Sequence, residues 1–184
     1  MADADDDQTH DDDQGSDADD EIQVVVVEVP MGSRNKYEID HETGEIYLDR
    51  RLFTATRFPV EYGYFPGTLA DDGDPVDALV LLTDPTFPGC RVRVRIIGAF
   101  VLDDAGGPDT KVLCGAVNDP TYGRARSFED LDPAYRGEIE HFFAVFKDLE
   151  PGSGTSVGEW SGPDDARRVV EEARRRREGE GTPG

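Results

Sequence analysis

The sequence predicts a mainly β protein with flanking helices (α+β): a small closed barrel with two C-terminal helices packed outside. Three observations predict it. Short strand-like segments recur at close intervals from residue 22 to 117, the spacing expected of a small barrel. Two stretches with apolar residues at helical period follow them. No apolar run approaches the ~20 residues needed to cross a bilayer.

The elements follow in order. "IQVVVVEVP" (22–30) is a β-branched run ended by proline, and reads as a strand. "KYEIDHETGEIYLDR" (36–50) holds two strand-like pieces around a turn with glycine, a hairpin pattern. "FPVEYGYFPGTL" (58–69) is aromatic and irregular, because Pro59 and Pro66 prevent a long ladder. "DALVLLT" (77–83) is a buried strand, and "RVRVRIIGAFVLD" (91–103) a long one. There Arg91, Arg93 and Arg95 alternate with apolar residues, so one face is expected to be wet. "DDAGGPD" (103–109) is a turn, and "TKVLCGAV" (110–117) closes the series.

Asp132 is a good N-cap before Pro133 at the first helical position. Tyr135, Ile139, Phe142, Phe143 and Phe146 then form an apolar helix face. After a Gly-rich link, Ala166, Val169, Val170 and Ala173 line one side of a second helix. Its terminal Arg174–Arg177 run suits the negative end of the helix dipole and reads as a solvated face.

Composition separates an acidic segment from the rest. The chain has 184 residues, 41 acidic against 19 basic, and a formal net charge of −22. Residues 1–21 are nearly all Asp, Gln, Ser, Gly and Ala, which predicts a disordered acidic tail. That segment has neither a basic start nor an apolar stretch, so it is not expected to be a secretory signal. Residues 22–178 form the expected folded domain, and 179–184 a flexible C-terminus. Such acidity argues against nucleic acid and membrane as partners. Lysine occurs only at positions 36, 111 and 147, and every other cationic side chain is arginine. Excess acid with almost no lysine is the halophilic composition expected in multimolar salt, where the Debye length shrinks to ~3 Å or less. Cys90 and Cys114 lie in apolar, strand-like surroundings and are expected as two buried free thiols, not a disulfide.

"DDGDPVDALVL" (71–81) crowds Asp71, Asp72, Asp74 and Asp77 at the mouth of a buried strand. Like charges this close disfavour one another's ionisation unless a cation sits among them. An EF-hand is excluded: Gly73 follows only two aspartates, and Pro75 interrupts the loop. The residues alone leave two readings open, solvated acid or carboxylates gathered on a metal. Oxygen donors without paired His or Cys would select Mg²⁺, Mn²⁺ or Ca²⁺.

"KYEID" (36–40), "DR" (49–50), "EYGYFPGTL" (61–69), "DGDPVD" (72–77), "DAGGPDTK" (104–111) and "HFFAVFKDLE" (141–150) together resemble the family I soluble inorganic pyrophosphatases. The blocks stand in that family's order and cover roughly residues 24–170. The resemblance implies an OB-like five-stranded closed barrel and Mg²⁺-dependent hydrolysis of inorganic pyrophosphate to two phosphates, with Mn²⁺ as a possible substitute. It further implies a cytoplasmic homo-oligomer, with a hexamer suggested. Carried over residue by residue, it assigns Asp72, Asp77, Asp104 and Asp109 to metal, and Asp74 as proton acceptor for the attacking water. Lys36, Arg50, Tyr62, Lys111 and Lys147 fall on substrate-binding positions, and Glu28 and Glu38 on acidic positions lining the site.

The chain departs from the family in two places. Phe146 stands where a substrate-contacting tyrosine is usual, so it is at most a wall of the site, and Phe58 also replaces a common tyrosine. Asp103 and Asp104 compete for the one metal position that the resemblance implies there, and the family's spacing to Asp109 selects Asp104. Two other functions fit the barrel. One is hydrolysis of a larger phosphoanhydride such as a nucleotide, against which stands the lack of a Walker-type loop. The other is a non-catalytic cation- or oligonucleotide-binding module.

Overall fold

The computed structural model describes residues 22–104, 107–152 and 154–180; the acidic segment before residue 22 and residues 181–184 lie outside the described residues. In chain order the strands are β1 (Ile22–Val29), β2 (Asn35–Ile39), β3 (Ile46–Arg51), β4 (Glu61–Tyr64), β5 (Asp77–Leu81), β6 (Arg91–Asp104), β7 (Gly107–Ala116) and β8 (Ser156–Ser161). Two α-helices, α1 (Pro133–Val145) and α2 (Pro163–Glu180), bracket β8.

Hydrogen bonding runs β1-β4-β5-β7-β6, and β6 pairs back onto β1, so five strands close a ring. The length of β6 makes this possible. Its first residues, Arg91–Arg95, pair with β1, whereas Ala99–Asp103 pair with β8. A register shift between Ile96 and Gly98 separates the two halves and bends the strand. β4 approaches β1 so closely that a Cβ on Gly63 would lie 2.0 Å from the Val26 carbonyl oxygen, so only glycine fits. The β2–β3 hairpin stands as a separate two-stranded sheet.

Period-two alternation sorts the strand residues onto two cores. Leu79, Leu81, Leu113, Phe100 and Leu102 face Ile139, Phe142, Phe143 and Phe146 from the α1 segment. Ala78, Val80, Val112, Cys114 and Ile96 belong with Ala166, Val170 and Ala173 of α2. The expected apolar faces of both helices and the expected cap of α1 are therefore present. Asp132 accepts from the Ala134 N–H at 2.8 Å, with Pro133 in the first turn.

Three expectations change. The Gly-rich link between the helices contains β8, which adds a sixth strand beside β6. Arg95 is not on a wet face: it is buried, and its guanidinium donates to the Gly123 carbonyl at 3.1 Å. Cys114 is buried and Cys90 only partly so; both are free.

Candidate active site

The site begins with strand register. β5 and β7 run parallel with Asp77 beside Lys111, and Asp109 lies two residues earlier on the same face of β7. β4 places Tyr62 two residues from Tyr64, the partner of Asp77, so Tyr62 points to that face as well. The result is a compact polar group continuing the row of Leu79 and Leu113. The Lys111 ammonium, on a residue only 4% exposed, bridges the Asp77 and Asp109 carboxylates. The Tyr62 hydroxyl donates to Asp77 Oδ2 at 2.7 Å, and Lys111 Nζ sits 5.5 Å from the Tyr62 ring centroid.

Glu28 enters from β1 at the register shift between Val27 and Val29, where a bulge re-aims one side chain. Its Oε1 accepts from the Ile39 N–H at 3.0 Å, which ties the hairpin to the barrel. On the hairpin, Lys36 and Arg50 are cross-strand partners. Lys36 pairs with Glu38 and reaches Asp49 Oδ2 at 3.4 Å. Arg50 pairs with Asp49 and is held by Glu150 through two hydrogen bonds of 3.0 and 3.3 Å.

The acidic loop is organised by its own backbone. Ala70 N–H donates to the Asp74 carbonyl at 2.7 Å, Gly73 N–H to the Ala70 carbonyl at 3.2 Å, and Asp74 N–H to Asp72 Oδ1 at 3.1 Å. This turn places Gly73 at φ +95°, a conformation that favours glycine. Thr68 fixes the stem, donating to the Phe65 carbonyl at 2.6 Å and accepting from Val76 N–H at 2.9 Å. The four aspartates have different neighbours. Asp71 pairs with Arg176 of α2 at 2.7 Å, and Leu69 N–H donates to the Ala173 carbonyl at 3.0 Å, so α2 anchors the loop. Asp77 joins the Lys111 group. Asp72 lies within electrostatic reach of Asp109. The Asp74 side chain is exposed and, among the described residues, makes no side-chain hydrogen bond or ion pair.

Lys147 follows α1, with its Nζ 5.4 Å from the Phe146 ring centroid. Phe146 itself is buried and stacks on Phe142 at 5.4 Å, making it part of the core beneath the site. The side chain of Asp104 lies outside the described residues; Asp103 is exposed and pairs with Ser156 of β8. Asp49 and Glu150 were not singled out from sequence, although each ends or opens a block quoted above. Their signal is position: one precedes Arg50, the other follows Lys147 by three.

The electrostatics describe a site short of positive charge. Burial raises the Asp109 carboxyl, and Asp77 and Asp72 add to the shift against the pull of Lys111. Burial works against the Lys111 ammonium, yet Asp77 and Asp109 raise its pKa overall. Burial and then Asp77 hold the Tyr62 hydroxyl well above its ordinary value, so it remains a donor. Glu28, 8% exposed, is raised from 4.5 to about 7, chiefly by burial, with the Ile39 hydrogen bond opposing and the Asp77 charge adding. Asp77, Asp109 and Tyr62 are oxygen donors gathered on one cation, Lys111, and such donors suit a hard divalent metal. Among the described residues, no three His, Cys, Asp or Glu side chains converge closely enough to hold a metal by themselves.

Glu28 gives a pH prediction for metal-free protein. Between pH 4.5 and about 7 the folded chain keeps a proton that the unfolded chain releases. Stability from this group therefore falls as pH rises through that window, by up to about 3 kcal/mol. Glu28→Gln is expected to flatten the fall and to be the more stable protein above pH 7. Urea unfolding of both proteins in chelator from pH 5 to 8 checks this; parallel curves would contradict it.

A closed barrel that seats the Lys111 ammonium between the Asp77 and Asp109 carboxylates has the kind of charged group that phosphate chemistry uses. Residues 25–178 match the family described as inorganic pyrophosphatase. A protein of Streptomyces coelicolor named inorganic pyrophosphatase is 50% identical over 152 residues, covering 83% of this chain and 93% of its own length. One from Geobacillus stearothermophilus with the same name is 46% identical over 151 residues, 82% and 91% of the two chains. Among solved structures, the Helicobacter pylori inorganic pyrophosphatase superposes with a TM-score of 0.84 at 36% identity, covering 86% of this chain and 95% of that one. The Thermus thermophilus inorganic pyrophosphatase gives 0.83 at 40% identity, covering 86% and 92%. The chain belongs to the inorganic pyrophosphatase family.

Proposed function

We propose that this chain, a diphosphatase by family, hydrolyses inorganic pyrophosphate to two phosphates with Mg²⁺, and that the group around Lys111 is the centre of its active site. The observation that carries the reading is the convergence of Asp77, Asp109, Lys111 and Tyr62 on one face of the barrel. Asp72, Asp77, Asp104 and Asp109 hold the metal in this reading. Bound Mg²⁺ supplies charge neutralisation on the phosphoryl oxygens and a water of lowered pKa.

The chain's own residues do the rest. Lys36, Arg50, Lys111 and Lys147 hold the diphosphate oxygens, replacing charge that water would otherwise screen. Tyr62 stays protonated and donates a hydrogen bond. Asp74, exposed on its turn, takes a proton on a carboxylate oxygen from the water that attacks phosphorus. The P–O–P bridge then breaks, and the bridging oxygen leaves on the second phosphate. Glu28 and Glu38 line the site and restrain the cations, while Phe146 supports Lys147 from below. A cytoplasmic homo-oligomer, with a hexamer suggested by family resemblance, belongs to the same proposal. Among the described residues no helix is long and apolar enough to cross a membrane.

Phosphate release from pyrophosphate tests it directly. Turnover is expected with Mg²⁺, weaker turnover with Mn²⁺, and none in excess chelator, with nucleoside triphosphates hydrolysed far more slowly. Equal or faster release from a nucleotide would overturn the choice of substrate, and release unaffected by chelator would overturn the metal.

A further inference from the structure

Arg50 and Glu150 meet across 100 positions of sequence, one on the hairpin and the other in the turn after α1. The contact uses a particular edge of the guanidinium. Arg50 Nε donates to Glu150 Oε1 at 3.0 Å and Nη2 to Oε2 at 3.3 Å, which occupies the side edge. The end edge, Nη1 with the second N–H of Nη2, remains for another partner. Nη1 meets Asp49, whose carboxylate Lys36 also reaches at 3.4 Å. Glu150 is fixed from behind as well. Its N–H donates to the Lys147 carbonyl at 2.8 Å, so one turn carries both Lys147 and the carboxylate that grips Arg50. The Arg50 and Glu150 side chains are 28% and 16% exposed, which makes this more than a fluctuating surface pair.

We infer that Glu150 is a positioning residue: it clamps Arg50 by its side edge, so that the end-on fork faces the diphosphate from the hairpin side while Lys147 faces it from the same turn. The inference rests on the reading of Arg50 and Lys147 as substrate-holding cations. A guanidinium binds two phosphate oxygens best through one planar fork, and its rate advantage depends on that plane being set in advance. Asp49 has the opposite character. It meets a single nitrogen of Arg50 and is shared with Lys36, so it is the partner that an incoming phosphate replaces. Without Glu150, Arg50 would turn its fork onto Asp49.

Steady-state kinetics on Glu150→Ala, Glu150→Gln, Arg50→Ala and the Arg50→Ala/Glu150→Ala double variant test this. Glu150→Ala is expected to lower kcat/KM by between about 10-fold and 100-fold, largely through a higher KM for pyrophosphate. Glu150→Gln keeps shape and one acceptor but not the charge. A loss of about tenfold is expected there, and it covers the case in which the alanine variant does not fold. Arg50→Ala is expected to lose at least as much as Glu150→Ala. In the Arg50→Ala background, Glu150→Ala is expected to change nothing further, because it acts only through Arg50. A loss that persists in that background would mean Glu150 merely shapes its turn, and would overturn the inference. So would wild-type kinetics for both Glu150 variants beside an impaired Arg50→Ala, which would leave the site reading intact. Wild-type kinetics for Arg50→Ala itself would instead remove Arg50 from the site, and this role with it.

Discussion

Asp77→Ala is expected to lower turnover by roughly 10³-fold or more at saturating Mg²⁺. Three site groups meet at Asp77: the Lys111 ammonium, the Tyr62 hydroxyl at 2.7 Å and the electrostatic reach of Glu28. Removing it withdraws a proposed metal ligand. It also frees Lys111 to settle on Asp109 alone and leaves the Tyr62 hydroxyl without its acceptor. Asp77→Asn separates these effects, because the amide oxygen still accepts from Tyr62 while the negative charge is gone. Both variants are expected to be nearly inactive, with Asn the closer to wild type in melting temperature. Phosphate release titrated with Mg²⁺ for each variant decides it. Substantial activity in Asp77→Ala at saturating metal would remove Asp77 from the centre of the site.

Most of the barrel was legible because its strands alternate or are β-branched, and both helices because capping and apolar period agreed at Asp132 and along Ala166–Ala173. β8 was not legible. Ser156–Ser161 is short and flanked by glycine, and it becomes a strand only because β6 is long enough to leave an unpaired edge for it. Arg95 misled for a related reason. Alternation placed it on the same face as Arg91 and Arg93, but the Gly123 carbonyl, far away in sequence, receives it. At the site, the blocks that resemble the family pointed to Asp77, Asp109, Lys111 and Tyr62, which strand register brings together. They could not distribute the acids of the loop. Asp71 pairs with Arg176, and Asp72 accepts from a neighbouring N–H. Those outcomes depend on the placement of α2 and on a five-residue turn, neither of which a local pattern encodes. Glu150 escaped for the same reason: its partner is 100 positions away.

The three lysines carry the other large expected effect. In a chain whose remaining cations are all arginine, Lys36, Lys111 and Lys147 could each be arginine if charge were the only requirement. Each Lys→Arg substitution is instead expected to lower kcat/KM, by up to about 100-fold where the charge is displaced by ~1 Å. Ammonium is a compact charge whose three donors can enter between oxygens already shared with other groups, whereas guanidinium is planar and wider. Lys111→Arg should be the most damaging. Its ammonium fits between Asp77 and Asp109 beside the Tyr62 ring on a residue 4% exposed, so a larger head group must displace one of them. Overpacking there is also expected to reduce stability by about 1–3 kcal/mol. Lys36 and Lys147 are less enclosed, and their variants should melt within about 0.5 kcal/mol of wild type while still losing rate. That contrast separates a requirement for ammonium at the substrate from a requirement for packing. Kinetics and melting of the three single variants decide the matter. Wild-type kcat/KM in all three would mean that the lysines are residual composition, and that the site needs positive charge without regard to its shape.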